Sequence, residues 1–210
     1  MGKEIREDLP RELLNKLSNP GVVLVYGPES SGKSTFVMYL VSRTISQRDK
    51  VLLYDSSNAV EVFRRLSPKL GEEFVKRVFR IRVRDWYEQK KWVRRLGLIP
   101  KEFKMVVFDE FTSNYLSQLF KMGDNIKRYM RLHRELIFQT AYLRYISQNF
   151  GKTIFLIARE RSTGDPLGGL SLKKIASITV RLDKTGGDLF RLEVESEGGE
   201  ISKIIFRLDP

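Results

Sequence analysis

The chain has 210 residues, 41% hydrophobic and 30% charged, which suits one domain with a sizeable core. Its formal net charge of +12 favours polyanionic partners such as nucleic acid, and equally fits a surface charged for solubility or heat tolerance. The absence of cysteine excludes disulfides, Cys–zinc sites and thiol catalysis and fits a reducing cytoplasm. The N-terminus MGKEIREDLP lacks the apolar stretch of a signal peptide, and no apolar run approaches the roughly 20 residues of a membrane span.

In chain order, 10–17 (PRELLNKL) reads as a short helix with Pro10 in its first turn, and Asn19-Pro20-Gly21 as a turn into a strand over 22–26. The segment 33–46 reads as a helix, with Phe36, Val37, Leu40, Val41 and Ile45 on one stripe. A buried strand over 51–54 ends at Asp55. Asn58 caps a helix to about 66, and Pro68 starts another with Leu70, Phe74 and Val75 inward. Over 78–83 apolar residues alternate with Arg80 and Arg82, giving a strand with a basic face that Arg84 continues. Asp85 and Glu88 form a capping box for a helix over 86–96.

A further buried strand, 105–108, ends at Asp109. The stretch 111–123 reads as a loop or a frayed segment. Asp124 caps a long helix to 150 with Tyr129, Leu132, Leu136, Leu143 and Ile146 on one stripe, and 153–158 is a strand. A Gly-rich loop spans 159–172. From 175 the periodicity becomes two, over 178–182, 189–194 and 201–208, with turns at 185–187 and 197–199. The fold class expected is α/β: a mostly parallel sheet flanked by helices and closed by a C-terminal antiparallel β-meander, in a single domain over 1–210.

The chemistry centres on Gly27-Pro28-Glu29-Ser30-Ser31-Gly32-Lys33-Ser34, the pattern G-x-x-x-x-G-K-[ST] with a strand before it and a helix after it. Gly27 and Gly32 let the backbone turn tightly and bring its N–H groups to a phosphate, while the helix N-terminus adds orphan donors and its positive dipole end. Lys33 is placed as a point charge on the β/γ-phosphates, and Ser34 to ligate Mg²⁺. Asp109 ends a buried strand at the sheet edge where ligands bind and can order the Mg²⁺.

The spelling Gly27-Pro28-Glu29-Ser30-Ser31-Gly32-Lys33-Ser34-Thr35 resembles the phosphate loop of the RecA family. The segment Asp165-Pro166-Leu167-Gly168-Gly169, followed by Leu172-Lys173-Lys174-Ile175-Ala176-Ser177-Ile178-Thr179-Val180-Arg181-Leu182-Asp183-Lys184, resembles the RecA/RadA recombinases after their second DNA loop. The likeness runs with gaps from about Pro20 onward and is nearest to archaeal RadA paralogues of RadB type. It implies a RecA-like P-loop NTPase core without an N-terminal DNA-binding domain, ATP and Mg²⁺ as ligands, and an accessory or regulatory role in DNA repair and homologous recombination. The implied partner is a recombinase or another DNA-repair protein, with single-stranded DNA as a further candidate.

Two family positions differ. The glutamate that activates water two residues after the second strand's acid is Ser57 here, which cannot serve unaided as a base at neutral pH. Glu110, directly after Asp109, is the candidate substitute. The polar sensor at the end of the fifth strand is Ala158-Arg159, and Arg159 is expected to neutralise or report on a γ-phosphate, although it cannot accept hydrogen bonds. Nucleotide binding with slow or partner-dependent hydrolysis follows. The alternatives are a nucleotide-dependent interaction module without significant ATPase activity and a KaiC-like signalling ATPase; a small-molecule kinase fits less well, with only Arg159 and Arg161 in the 159–172 loop.

The stretches that match the family's DNA loops carry few cations: Lys121 in the first, Arg159 and Arg161 in the second. Basic density lies instead between Lys76 and Lys104, with eleven Lys/Arg against three acids. There Arg80, Arg82 and Arg84 share a strand face and Lys90, Lys91, Arg94 and Arg95 a helix face, with Trp86, Tyr87 and Trp92 interleaved. Cations beside aromatics suit single-stranded nucleic acid. The same pattern also describes a solvated basic helix whose Trp86 and Val93 are core. His133, the single histidine, has no metal-type ligand spaced with it. Phe138-Gln139-Thr140-Ala141 spells the F-x-x-A of recombinase self-assembly, but mid-helix it reads as core.

Overall fold

Every residue of Gly21–Gly27 is buried, and this strand forms the middle of the fold. The computed structural model describes residues 5–6, 9, 11–56, 64–65, 67–68, 70–123, 125–186, 189–196, 198–199 and 201–207. In chain order these give β1 (Ile5–Arg6), α1 (Arg11–Ser18), β2 (Gly21–Gly27), α2 (Lys33–Thr44), β3 (Lys50–Asp55), α3 (Glu72–Val75) and β4 (Val78–Arg82). Then follow α4 (Trp86–Arg95) with a 3-10 turn at Leu96–Leu98, β5 (Phe103–Asp109), α5 (Ser113–Phe120), α6 (Ile126–Phe150), β6 (Thr153–Arg159), α7 (Leu170–Ile175), β7 (Ile178–Gly186), β8 (Leu189–Ser196) and β9 (Ile201–Arg207).

The nine strands form one sheet in the order β1-β9-β8-β7-β2-β6-β5-β3-β4. From β7 to β4 all neighbours are parallel, and β8 runs antiparallel to both β7 and β9. The expected α/β class with a mostly parallel sheet and a C-terminal meander is thus the observed one. Period-two alternation divides the core between the faces. Val23, Val25, Val51, Leu53, Val107 and Ile157 pack with α1 and α2 on one side. Val22, Leu24, Leu52, Val106, Ile154 and Leu156 pack with α4 and α6 on the other. In register, Gly27 lies beside Arg159 and Asp55 beside Asp109, so the sheet gathers all four at its carboxyl edge.

Several local expectations change. The 111–123 stretch is not a loop: Ser113–Phe120 is helical, nucleated where Ser113 N–H donates to Glu110 O and anchored by buried Asn114 and Tyr115. The long helix begins at Ile126 with Asn125 as its cap, accepting from Arg128 N–H at 3.1 Å; Asp124 lies outside the described residues. In the capping box, Glu88 N–H donates to Asp85 Oδ1 at 2.8 Å, but the Glu88 carboxylate takes the N–H of Arg84 rather than that of Asp85. Gly71, at φ +83°, separates Leu70 from α3 and breaks the helix expected from Pro68. Tyr129 is exposed and stacks on His133 instead of entering the core. The expectations at Pro10, Ser57, Asn58, Gly187, Glu197 and Leu208 lie outside the described residues, as does the helix after Asn58 except at 64–65, which are helical.

A buried polar chain crosses the helical layer. Asn114 Nδ2 donates to Ser56 Oγ and to Gln89 Oε1, each at 3.3 Å, and Gln89 Nε2 donates to Gln139 Oε1 at 3.1 Å. It ties the end of β3 to α5, α4 and α6 in turn. Buried amides cost stability when a partner is removed. The Gln89→Leu variant is expected to lose about 1–3 kcal/mol of unfolding free energy, read from urea denaturation, because Gln139 and Asn114 each lose a partner inside the core.

Candidate active site

The loop between β2 and α2 has the geometry its glycines permit. A Cβ on Gly27 would lie 2.0 Å from Leu182 O of β7, so only glycine lets the loop start flush against that strand. Gly32, at φ +82° and with Phe190 where a Cβ would go, turns the chain into α2. Ser30 also takes a left-handed φ of 60°, an unusual backbone for a non-glycine residue that clusters at ligand sites.

Inside this loop Lys33 is almost fully buried, and its ammonium donates to Pro28 O at 2.6 Å and Gly27 O at 3.2 Å. Burial pushes its pKa below the ordinary 10.5; Glu110, Asp109 and Glu29 oppose that shift and Arg159 adds to it. Ser34 Oγ donates to Asp109 Oδ1 at 2.6 Å, joining the first turn of α2 to the end of β5 across the intervening β6. Ser31 Oγ is buried with no hydrogen-bond partner among the described residues. Thr35 follows Ser34 in the first turn of α2 and is half-buried.

Glu110 leaves β5 at φ 55°, again left-handed for a non-glycine residue. Phe111 N–H is taken by Ile157 O at 2.8 Å, which fixes the turn. Arg159 Nε donates to Glu110 Oε2 at 2.8 Å, and its Nη1 lies 3.4 Å from Glu29 Oε1. The hydrogen bond and charge of Glu110 raise the Arg159 pKa still further, so this guanidinium is a fixed cation. Arg159 thus spans the site, from Glu29 in the loop to Glu110 after β5. Beyond it, 159–167 closes as a small hairpin, with Leu167 N–H donating to Arg159 O and Arg161 N–H to Asp165 O, each at 2.8 Å; Arg161 is exposed at its tip.

The donor set suits a magnesium nucleotide. It offers a hydroxyl and a carboxylate already in contact, a buried ammonium hydrogen-bonded to two neutral carbonyls, and a buried hydroxyl with no partner among the described residues, in a glycine-turned loop. No protein-family model matches the chain, and no curated protein sequence matches it.

The structure distributes the cations singled out for nucleic acid. Arg80 and Arg82 turn onto Asp55, which is fully buried: Arg80 Nη2 lies 2.6 Å and Arg82 Nη1 3.5 Å from its Oδ2. Their strand face thereby neutralises a buried acid, beside whatever solvent contact their remaining surface makes. Arg84 lies 3.9 Å from Glu88. Lys90 and Arg94 converge on Glu135 of α6, at 3.5 and 3.9 Å, and Arg95 lies over the Trp92 ring. Lys91 is exposed on α4, and Lys121 is exposed at the C-terminal end of α5. Trp86 is core, Trp92 is half-buried against Tyr54, and of the three interleaved aromatics Tyr87 alone projects freely, 76% exposed. Phe138 is not core, as its helical context suggested, but 56% exposed. The Arg159 bridge to Glu29 and Glu110 was not legible in the sequence, since its members are distant in the chain and carry no joint motif.

The buried Lys33 sets a pH dependence. Its folded pKa lies below the unfolded 10.5, so the unfolded chain binds more protons between the two values, and stability from this group rises with pH across that window. It is fully present above 10.5 and lost as pH falls through the folded pKa. In paired urea titrations, the stability of wild type relative to Lys33→Met is expected to increase as pH approaches 10.5; a flat or falling difference contradicts the burial cost assigned to this ammonium.

Proposed function

We propose that the chain binds ATP with Mg²⁺ at the β2–α2 loop and acts as a RecA/RadA-like accessory or regulatory factor in DNA repair and homologous recombination, with slow or partner-dependent hydrolysis. The observation that carries the nucleotide reading is the 2.6 Å contact of Ser34 Oγ with Asp109 Oδ1 beside the buried Lys33 ammonium. The Gly27-Pro28-Glu29 spelling and the 165–184 segment support the recombinase-like part. A recombinase or another repair protein and single-stranded DNA are the proposed partners.

In this reading the backbone N–H groups of the loop and the N-terminus of α2 face the phosphates, and Lys33 exchanges the neutral carbonyls of Gly27 and Pro28 for anionic oxygens. Ser34 and Asp109 would hold the Mg²⁺. The bound magnesium nucleotide supplies a phosphoanhydride whose charge the metal and these cations draw off. Glu110 takes the proton of the attacking water, and Arg159 Nε, 2.8 Å from Glu110 Oε2, occupies one of the two oxygens that could accept it. Arg159 is shared by Glu110, Glu29 and an arriving anion, so hydrolysis becomes conditional on where that guanidinium settles.

This same pair favours the second reading, a module in which nucleotide sets conformation and is not turned over. Single-turnover hydrolysis separates the two. The Glu110→Gln variant is expected to keep its ATP affinity and lose about 10²–10⁴ in rate, the usual worth of a positioned base. Equal rates for variant and wild type would remove Glu110 from the chemistry and leave the non-catalytic module.

A further inference from the structure

Helix α6 packs its Leu132, Leu136, Leu143 and Ile146 into the core, yet its outward side is also aromatic. Phe138 and Tyr145 are more than half exposed, with the half-buried Tyr142 between them. The three rings form a ladder: Phe138 to Tyr142 spans 6.4 Å between centroids at 12° between planes, and Tyr142 to Tyr145 spans 6.2 Å at 24°. At 3.6 residues per turn, exposed Arg134 falls with all three inside an arc of about 80°. Tyr142 Oη donates to Arg94 O at 3.4 Å, which brings the C-terminal turn of α4 beside the ladder, and exposed Lys91 lies one turn earlier on the same helix. Glu135 is the acid of this border, and Lys90 and Arg94 already surround it.

We propose that this face of α6 and α4 is a binding surface for single-stranded DNA, whose bases stack on Phe138, Tyr142 and Tyr145 while Lys91, Arg94 and Arg134 take the phosphates. The inference deepens the DNA part of the proposed function and rests on that reading. The ladder decides the occupant. Only a single strand offers bare base faces to a row of rings, since a duplex keeps its bases stacked inside. An acidic peptide would use the cations and leave the ring faces without a partner. The surface stands apart from the two stretches that carry Lys121 and Arg161, and it uses α6 aromatics in place of the tryptophans of α4. The chain of Gln139, Gln89 and Asn114 joins it internally to Ser56 at the end of β3.

The test is fluorescence anisotropy of a labelled thymidine 30-mer, with ATP affinity measured on the same preparations. Wild type is expected to bind the oligomer at low salt. Phe138→Ala and Tyr145→Ala, both exposed positions, are each expected to weaken it by about 5- to 150-fold, the worth of one stacked base. Lys91→Glu and Arg134→Glu are expected to lower the slope of log affinity against log salt by about 0.7 for each phosphate no longer neutralised. Circular dichroism and ATP affinity should remain those of wild type in all four. The proposal is overturned if wild type does not bind the oligomer or if the two alanine variants bind it like wild type. It is equally overturned if duplex DNA or polyglutamate binds as tightly and responds to the alanine variants in the same way. Loss of ATP binding with oligomer binding and its aromatic dependence intact would sink the nucleotide reading and leave this surface standing.

Discussion

Placing the Lys33 ammonium inside the protein carries a desolvation cost, and the carboxyl edge of the sheet is arranged around meeting it. Two loop carbonyls accept its protons, and Asp109, Glu110 and Glu29 supply compensating charge. Those acids need cations and donors of their own. Asp109 takes the Ser34 hydroxyl, while Glu110 and Glu29 share Arg159. Asp55, beside Asp109 in register, is held by Arg80 and Arg82 from the edge strand. The result is a row of coupled charges along the carboxyl edge of the sheet's apolar parallel strands, with Lys33 and Arg159 as its two cations nearest the loop.

The backbone makes this possible through what it omits. A side chain at Gly27 would collide with Leu182 O, and one at Gly32 with the Phe190 ring. The loop can therefore sit directly on β7 and β8, strands that belong to the C-terminal meander. The meander is thus part of the site's foundation, and its packing through Phe190 and Phe206 onto Phe36 connects it to the helix that starts at Lys33.

Much of this was legible in the sequence, because the relevant signals are local. A glycine-bounded loop between an apolar run and a periodic helix, an acid ending each of two apolar strands, and a change to period two after 175 all read directly into elements of the fold. What was not legible depends on partners far away in the chain. Arg80 and Arg82 look like a basic face until Asp55 is placed beneath them. Helix α5 carries no side-chain cap and forms because Asn114 and Tyr115 are buried. Phe138 reads as core because it is aromatic and mid-helix, but it lies off the Leu132–Leu136–Leu143–Ile146 stripe, as Tyr142 and Tyr145 do. That offset is visible in the spacing and is the signal that places these rings outside.

The central claim is that Lys33, Ser34 and Asp109 form one site for a magnesium nucleotide, and titration calorimetry of ATP with and without Mg²⁺ tests it most directly. Wild type is expected to bind ATP and to bind it more tightly with Mg²⁺, whereas Asp109→Asn retains ATP binding but loses most of the magnesium enhancement. Absence of ATP binding in wild type, or a magnesium enhancement unchanged in Asp109→Asn, would contradict it.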